Sequence, residues 1–171
     1  MKKLYMLSLM VLMTGLLGAC GASEEAEELA DYHNSYVETV NDLASQVDEE
    51  MARSYNAGTP EEALQIQEEK VMPLVDEIMG YIDSLAPKTD VVKELHEKRK
   101  EQLDVWSQAM TMNVEALKKS VEGANEEEVN QLLGQSDEKL TKARENAQKA
   151  DAFMAEMAEE HDVEIKELDE K

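Results

Sequence analysis

A single cysteine among 171 residues has no partner within the chain, which excludes an intrachain disulfide framework and a cysteine-built zinc site. Glycine and proline are also scarce, at seven and three, too few for the many tight turns of a sandwich or barrel. Cations are outnumbered: 17 Lys and Arg stand against 39 Asp and Glu, a formal charge of −22. A nucleic-acid surface draws its affinity from clustered cations that release counterions. The one tight basic run here, Lys98-Arg99-Lys100, has glutamate on both sides, so nucleic acid is not expected as a partner. No glycine-rich phosphate loop, His-Glu-x-x-His helix or serine-nucleophile motif occurs, and the chain does not read as an enzyme. What abounds instead is Ala, Glu, Leu, Lys, Gln and Met, the strong helix formers.

The N-terminus has the layout of a secretory leader. Lys2 and Lys3 precede an uncharged stretch from Leu4 to Leu17, followed by Gly18, Ala19 and Cys20. The apolar run is short of the ~20 residues that a helix needs to cross ~30 Å of hydrocarbon. Leu17-Gly18-Ala19-Cys20 resembles the lipobox of bacterial lipoproteins: an aliphatic residue, two small residues, then cysteine. The resemblance implies cleavage after Ala19, with Leu17, Gly18 and Ala19 recognised by the signal peptidase, and a diacylglyceryl thioether on Cys20. Two acyl chains anchor stably where one binds only marginally. A body this acidic gains no help from an anionic bilayer, so the lipid alone would hold it. Gly21 follows the cysteine where an aspartate would signal inner-membrane retention. The expected location is therefore the extracytoplasmic face of the cell membrane, a Gram-positive surface in preference to a periplasm.

Residues 20–28 are small and acidic and read as a tether, ahead of a helical domain over 29–161 and an acidic tail over 162–171. Leu29, Tyr32, Tyr36, Val40, Leu43, Val47 and Met51 step by three and four, predicting one amphipathic helix. It should stop at Asn56-Ala57-Gly58, with Gly58 in the left-handed conformation. Thr59-Pro60-Glu61-Glu62 is a capping box with proline at the first helical position. The second helix carries a seam through Leu64, Val71, Leu74 or Val75, Ile78, Ile82 and Leu85, and Pro73 predicts a kink or local break near Met72. The third, capped by Thr89 or Asp90, runs through Val92, Leu95 or His96, Leu103, Trp106, Met110, Leu117 and Val121 to Gly123. The fourth, capped by Asn125, runs through Val129, Leu133, Leu140, Ala143, Ala147, Ala150, Met154 and Met157. Short connections between long helices predict an all-α, antiparallel up-down four-helix bundle. The body resembles the small all-helical lipoproteins of Gram-positive bacteria.

Folding the chain back at its three turns gathers most aromatics and the histidines at the end nearest the anchor: Tyr32, His33, Tyr36, Tyr81, His96, Arg99, Asp151 and Phe153. Tyr36, Tyr81, His96 and Arg99 are the candidate lining of a small-ligand or ion pocket between helices. The competing reading is a half-buried bundle end, where amphipathic side chains are well tolerated. A di-iron bundle needs Glu-x-x-His on two helices. Ala30, Lys93 and Ala158 stand where those glutamates belong, so no metal or other cofactor is expected. The methionines fall on or beside the apolar seams and read as core filler. The expected role is a non-catalytic interaction or structural module with a protein partner in the envelope; the alternative is ligand binding at the aromatic end.

Overall fold

The computed structural model describes residues 23–164. Leu17, Gly18, Ala19 and Cys20 lie outside the described residues. Within them every element is helical, and the four helices run as α1 (Glu24–Tyr55), α2 (Pro60–Ile66) continued by a π segment (Gln67–Val71) into α3 (Met72–Ser84), α4 (Asp90–Val121) and α5 (Glu126–Glu160).

Helix α1 starts one turn earlier than its apolar repeat suggests, so the last residues of the expected tether belong to it. Ser23 Oγ accepts the Ala26 amide at 3.1 Å, and Glu24, Glu25 and Glu27 lie at the positive end of the helix dipole. The predicted stripe from Leu29 to Met51 is buried throughout. Gly58 does not take the left-handed conformation expected of it; among described glycines only Gly123 does, at φ 78°. The reason is local. Asn56 Nδ2 donates to the Ala52 carbonyl at 2.7 Å, and the Ala57 amide closes on Ser54 O at 3.2 Å, so the end of α1 is already satisfied.

The capping box at α2 forms with a shifted return arm. Thr59 Oγ1 accepts the Glu62 amide at 3.2 Å, while the Glu62 carboxylate reaches back to the Gly58 amide at 3.0 Å instead of that of Thr59. Pro73 has no N–H to give the Glu69 carbonyl, and the helix answers with a wider turn: the Met72 amide bonds Gln67 O, five residues back. This turn also solves a packing problem. The buried positions Ala63, Gln67, Val71 and Val75 advance in steps of four, and in an ideal α-helix three such steps rotate the stripe by roughly 120° away from one face. The π turn absorbs that rotation and keeps all four inward. Val75, Ile78 and Ile82 then continue into the core at 0% exposure. Full burial of an Ile or Leu side chain contributes about 1.5–3 kcal/mol each.

Helix α4 is the hub, packing against α1, α2, α3 and α5. Its buried band is accordingly wider than a single seam. Ala109, Val114 and Ala116 are buried, whereas Trp106, Leu117 and Val121 are only partly so. It ends in a Schellman closure about Gly123, with the Ala124 amide on Lys119 O at 3.0 Å and that of Gly123 on Ser120 O at 3.1 Å.

Helix α5 departs most from expectation. It packs chiefly on α4 and buries Ser136, Ala143, Asn146, Ala150, Met154 and Ala158. Leu133, placed on the seam by its apolar spacing, is 41% exposed, while Ser136 is at 0%. Small residues let the two helices approach, and polar ones are bonded across: Ser136 Oγ donates to Ala109 O at 3.0 Å, and Asn146 Nδ2 to Glu101 Oε1 at 3.2 Å. After α5 the chain does not simply fray. Asp162 adopts φ 55°, the Val163 amide bonds Ala158 O at 2.8 Å, and the Val163 side chain packs on the core.

Candidate functional site

Because α5 leans on α4, a cleft of about 430 Å³ opens between α1 and α5, with α4 as its floor. Each wall follows from sequence. Helix α1 presents Tyr36, Val40 and Ala44, on or beside its core stripe; α5 presents Leu140, Ala143 and Ala147, where two alanines leave room above the floor. The floor is Arg99, Leu103 and Trp106. Trp106 faces Leu140 and Ala143 across the cleft.

Charged side chains line the cleft at Arg99 and Asp151 and also at Asp48 and Arg144. Arg99 is 6% exposed. Its Nη2 donates to Asp151 Oδ1 at 2.6 Å, its Nη1 donates to Gln102 Oε1 at 3.3 Å, and the guanidinium lies over the Tyr36 ring at 4.7 Å from the centroid. Burial pushes the Tyr36 phenol up to about 12, with Arg99 pulling partly the other way, so the ring is a neutral platform at physiological pH. Asp151 differs from its partner in one respect: its side chain is 57% exposed, against 7% for that of Arg99.

The four residues proposed from sequence as one pocket separate into two settings. Tyr36 and Arg99 line the cleft; Tyr81 and His96 do not. His96 is buried and shares a 3.3 Å hydrogen bond with the Tyr32 hydroxyl, the two rings meeting edge to face at 6.0 Å. Burial, the largest influence, holds the His96 imidazole below its usual range, with Lys100 acting the same way and Glu97 and Asp83 opposing. Tyr81 is half-buried on α3, its hydroxyl 2.8 Å from Ser35 Oγ. His96 and Tyr81 therefore serve the α1–α4 and α1–α3 contacts.

No family model, curated protein or solved structure matches this chain. The functional reading therefore rests on the cleft itself. Sequence reasoning set Asp151 at the level of Arg99 but gave it no place in a pocket, and set Trp106 on the third-helix seam as packing. The signal that finds them is the pair of alanines, Ala143 and Ala147, one turn apart opposite a tryptophan. Among the described residues no three His, Cys, Asp or Glu side chains group as a cation site, and no helix is long and apolar enough to cross a membrane.

Near the chain's other turn, Glu28 clamps the α3–α4 connection onto α1. Its two carboxylate oxygens accept the amides of Lys88 and Thr89 at 2.6 and 2.7 Å. Partial burial works against the charged form, but the bonds from Thr89 and Lys88 outweigh it and hold the carboxyl below its usual value. Thr89 is the N-cap residue of α4, although its hydroxyl makes no capping bond.

Proposed function

We propose that this chain is a lipid-anchored bacterial lipoprotein of the extracytoplasmic membrane face, non-catalytic, whose helical body is a binding module working through the α1–α5 cleft. The observation that carries the binding part is the cleft: a trough over Trp106 with apolar walls, the buried Arg99 and the exposed Asp151 as an ion pair, and Asp48 and Arg144 also on its lining. Ligand sites in helical bundles sit between helices, mostly apolar with a few placed polar groups. The anchoring part is supported by Leu17-Gly18-Ala19-Cys20 behind a charged and then apolar leader.

We read the body as an antiparallel up-down four-helix bundle after a cleaved signal peptide. Support comes from cross-helix partners whose numbers fall on one helix as they rise on the next: Ser35 with Tyr81 and Ser54 with Gln67, Asp83 with Lys100 and Glu68 with Lys118, Glu101 with Asn146 and Lys119 with Glu128. In this arrangement Cys20, just ahead of α1, tethers the end of the body that carries Glu28, Thr89 and Val163, and the cleft runs lengthwise away from the membrane. Envelope proteins remain the natural neighbours of such a module, with no nucleic acid among them.

The anchor is tested by fractionation. Cys20→Ala should move the chain from the membrane fraction to the soluble one without changing helicity, and the native N-terminus should carry the mass of a diacylglyceryl cysteine. Unchanged membrane partition of the variant, or an unacylated native N-terminus, refutes it.

A further inference from the structure

We infer that the α1–α5 cleft takes an amphipathic monoanion, an apolar body carrying one carboxylate, whose head displaces Asp151 from Arg99. The inference rests on the binding reading above and adds the class of ligand.

The Arg99–Asp151 ion pair is asymmetric. A buried guanidinium must keep an anionic partner, because an unpaired charge out of water is strongly unfavourable. Arg99 is fixed at the cleft floor with its side chain 7% exposed, while its counter-charge, Asp151, stands at the surface with its side chain 57% exposed. The Asp151 carboxylate is already in contact with water, so little further hydration is at stake for it when it leaves, and the buried guanidinium is the member that needs a replacement anion. The pair is thus built for exchange on one side only: Asp151 can swing out, and Arg99 cannot follow. An incoming carboxylate finds the geometry already held, with Gln102 and the Tyr36 ring steadying the guanidinium.

The rest of the ligand is set by the walls. Val40, Leu103, Trp106 and Leu140 offer apolar contact along the trough. Its volume, about 430 Å³, falls inside the range of roughly 300–1,000 Å³ typical of small-molecule sites. A second copy of a chain of charge −22 is opposed by self-repulsion. That same charge sets a recognisable salt dependence: the body repels an anion at long range, so screening should tighten its binding.

The experiment uses the full acylated chain in phosphatidylcholine vesicles and reads the fluorescence of Trp106, the sole tryptophan, during titration with decanoate, decyltrimethylammonium or decanol. Decanoate should perturb Trp106 saturably, more tightly than either of the others, and more tightly still as salt is raised. Asp151→Asn, which removes the resident competitor, should tighten decanoate about three- to tenfold. Arg99→Gln should weaken decanoate at least about tenfold and leave decanol unchanged; should that variant lose helicity, the Asp151→Asn result decides by itself. Weaker decanoate binding in Asp151→Asn, or preference for the cation, overturns the ligand class while leaving a binding cleft. No saturable response to any of the three overturns both the ligand class and the binding reading. A response to phosphatidylglycerol vesicles without decanoate overturns the free-amphiphile assignment in favour of a lipid surface.

Discussion

Replacing Glu28 tests how the turn between α3 and α4 is held against α1. The carboxylate accepts two backbone amides, Lys88 at 2.6 Å and Thr89 at 2.7 Å. Hydrogen bonds to a charged group contribute about 1.5–3 kcal/mol each when sheltered, and partial exposure of this site reduces that to ~1 kcal/mol apiece. Glu28→Ala should therefore destabilise the fold by about 2 kcal/mol, a fall in Tm of ~4–8 °C for a chain of this size. Glu28→Gln should lose about half as much, because one amide oxygen still accepts while the NH₂ faces the second amide. The pH dependence has a defined sign. The Glu28 carboxyl is lowered from its usual 4.5 in the folded chain, so its contribution is fully present above that pH and disappears as pH falls through the lower folded value. The gap between wild type and Glu28→Gln should be flat above pH 4.5 and close below it. Urea unfolding followed by circular dichroism measures the stability, and hydrogen exchange at the Lys88 and Thr89 amides measures the clamp. A loss below ~0.5 kcal/mol for Glu28→Ala, or unchanged protection of both amides, refutes the reasoning.

Two further perturbations follow from buried polar groups. Ser54 Oγ donates to Ala63 O at 3.2 Å and accepts from Gln67 Nε2 at 3.2 Å, so Ser54→Ala strands a buried amide and should cost about 1–3 kcal/mol. Adding Gln67→Leu should recover part of that loss; a double-mutant cycle by urea unfolding that shows strict additivity would sink the relay. The His96 imidazole is held below its usual 6.5 by burial, so the unfolded chain binds its proton first as pH falls. Stability should decline from pH 6.5 downward until the folded imidazole itself charges, then level in this contribution. His96→Gln should flatten that segment of the stability profile, and an unchanged slope between wild type and variant would remove His96 as its source.

Helix existence and most boundaries were legible because their causes are local. The α1 stripe from Leu29 to Met51, the Asn125 and Thr59 caps, the helix stop at Gly123 and a disturbance ahead of Pro73 each depend on residues within a turn or two of one another. The same locality explains the misjudged end at Gly58: the Asn56 side chain and the left-handed glycine are alternative ways to satisfy one set of carbonyls, and both were present in the sequence. Grouping Tyr36, Tyr81, His96 and Arg99 at one level was sound, but a level does not say which way a side chain faces. Facing is set by neighbours, and it sent two of them to helix contacts and two to the cleft.

By itself the sequence determined an all-helical chain of four helices, because backbone hydrogen bonds within a helix close over four residues and are governed by propensity, caps and breakers. Only the tertiary structure decided how the buried face of α5 is set. Its apolar spacing gave Ala143, Ala150 and Met154, which are buried, but also favoured Leu133, whereas close approach to α4 selected Ser136 and Asn146, where small size and a hydrogen bond across the contact outweighed hydrophobicity. That rotation opened the cleft, exposed Asp151 and left Arg99 buried beneath it. Burial is a property of what packs against a residue, and that information is carried by distant parts of the chain.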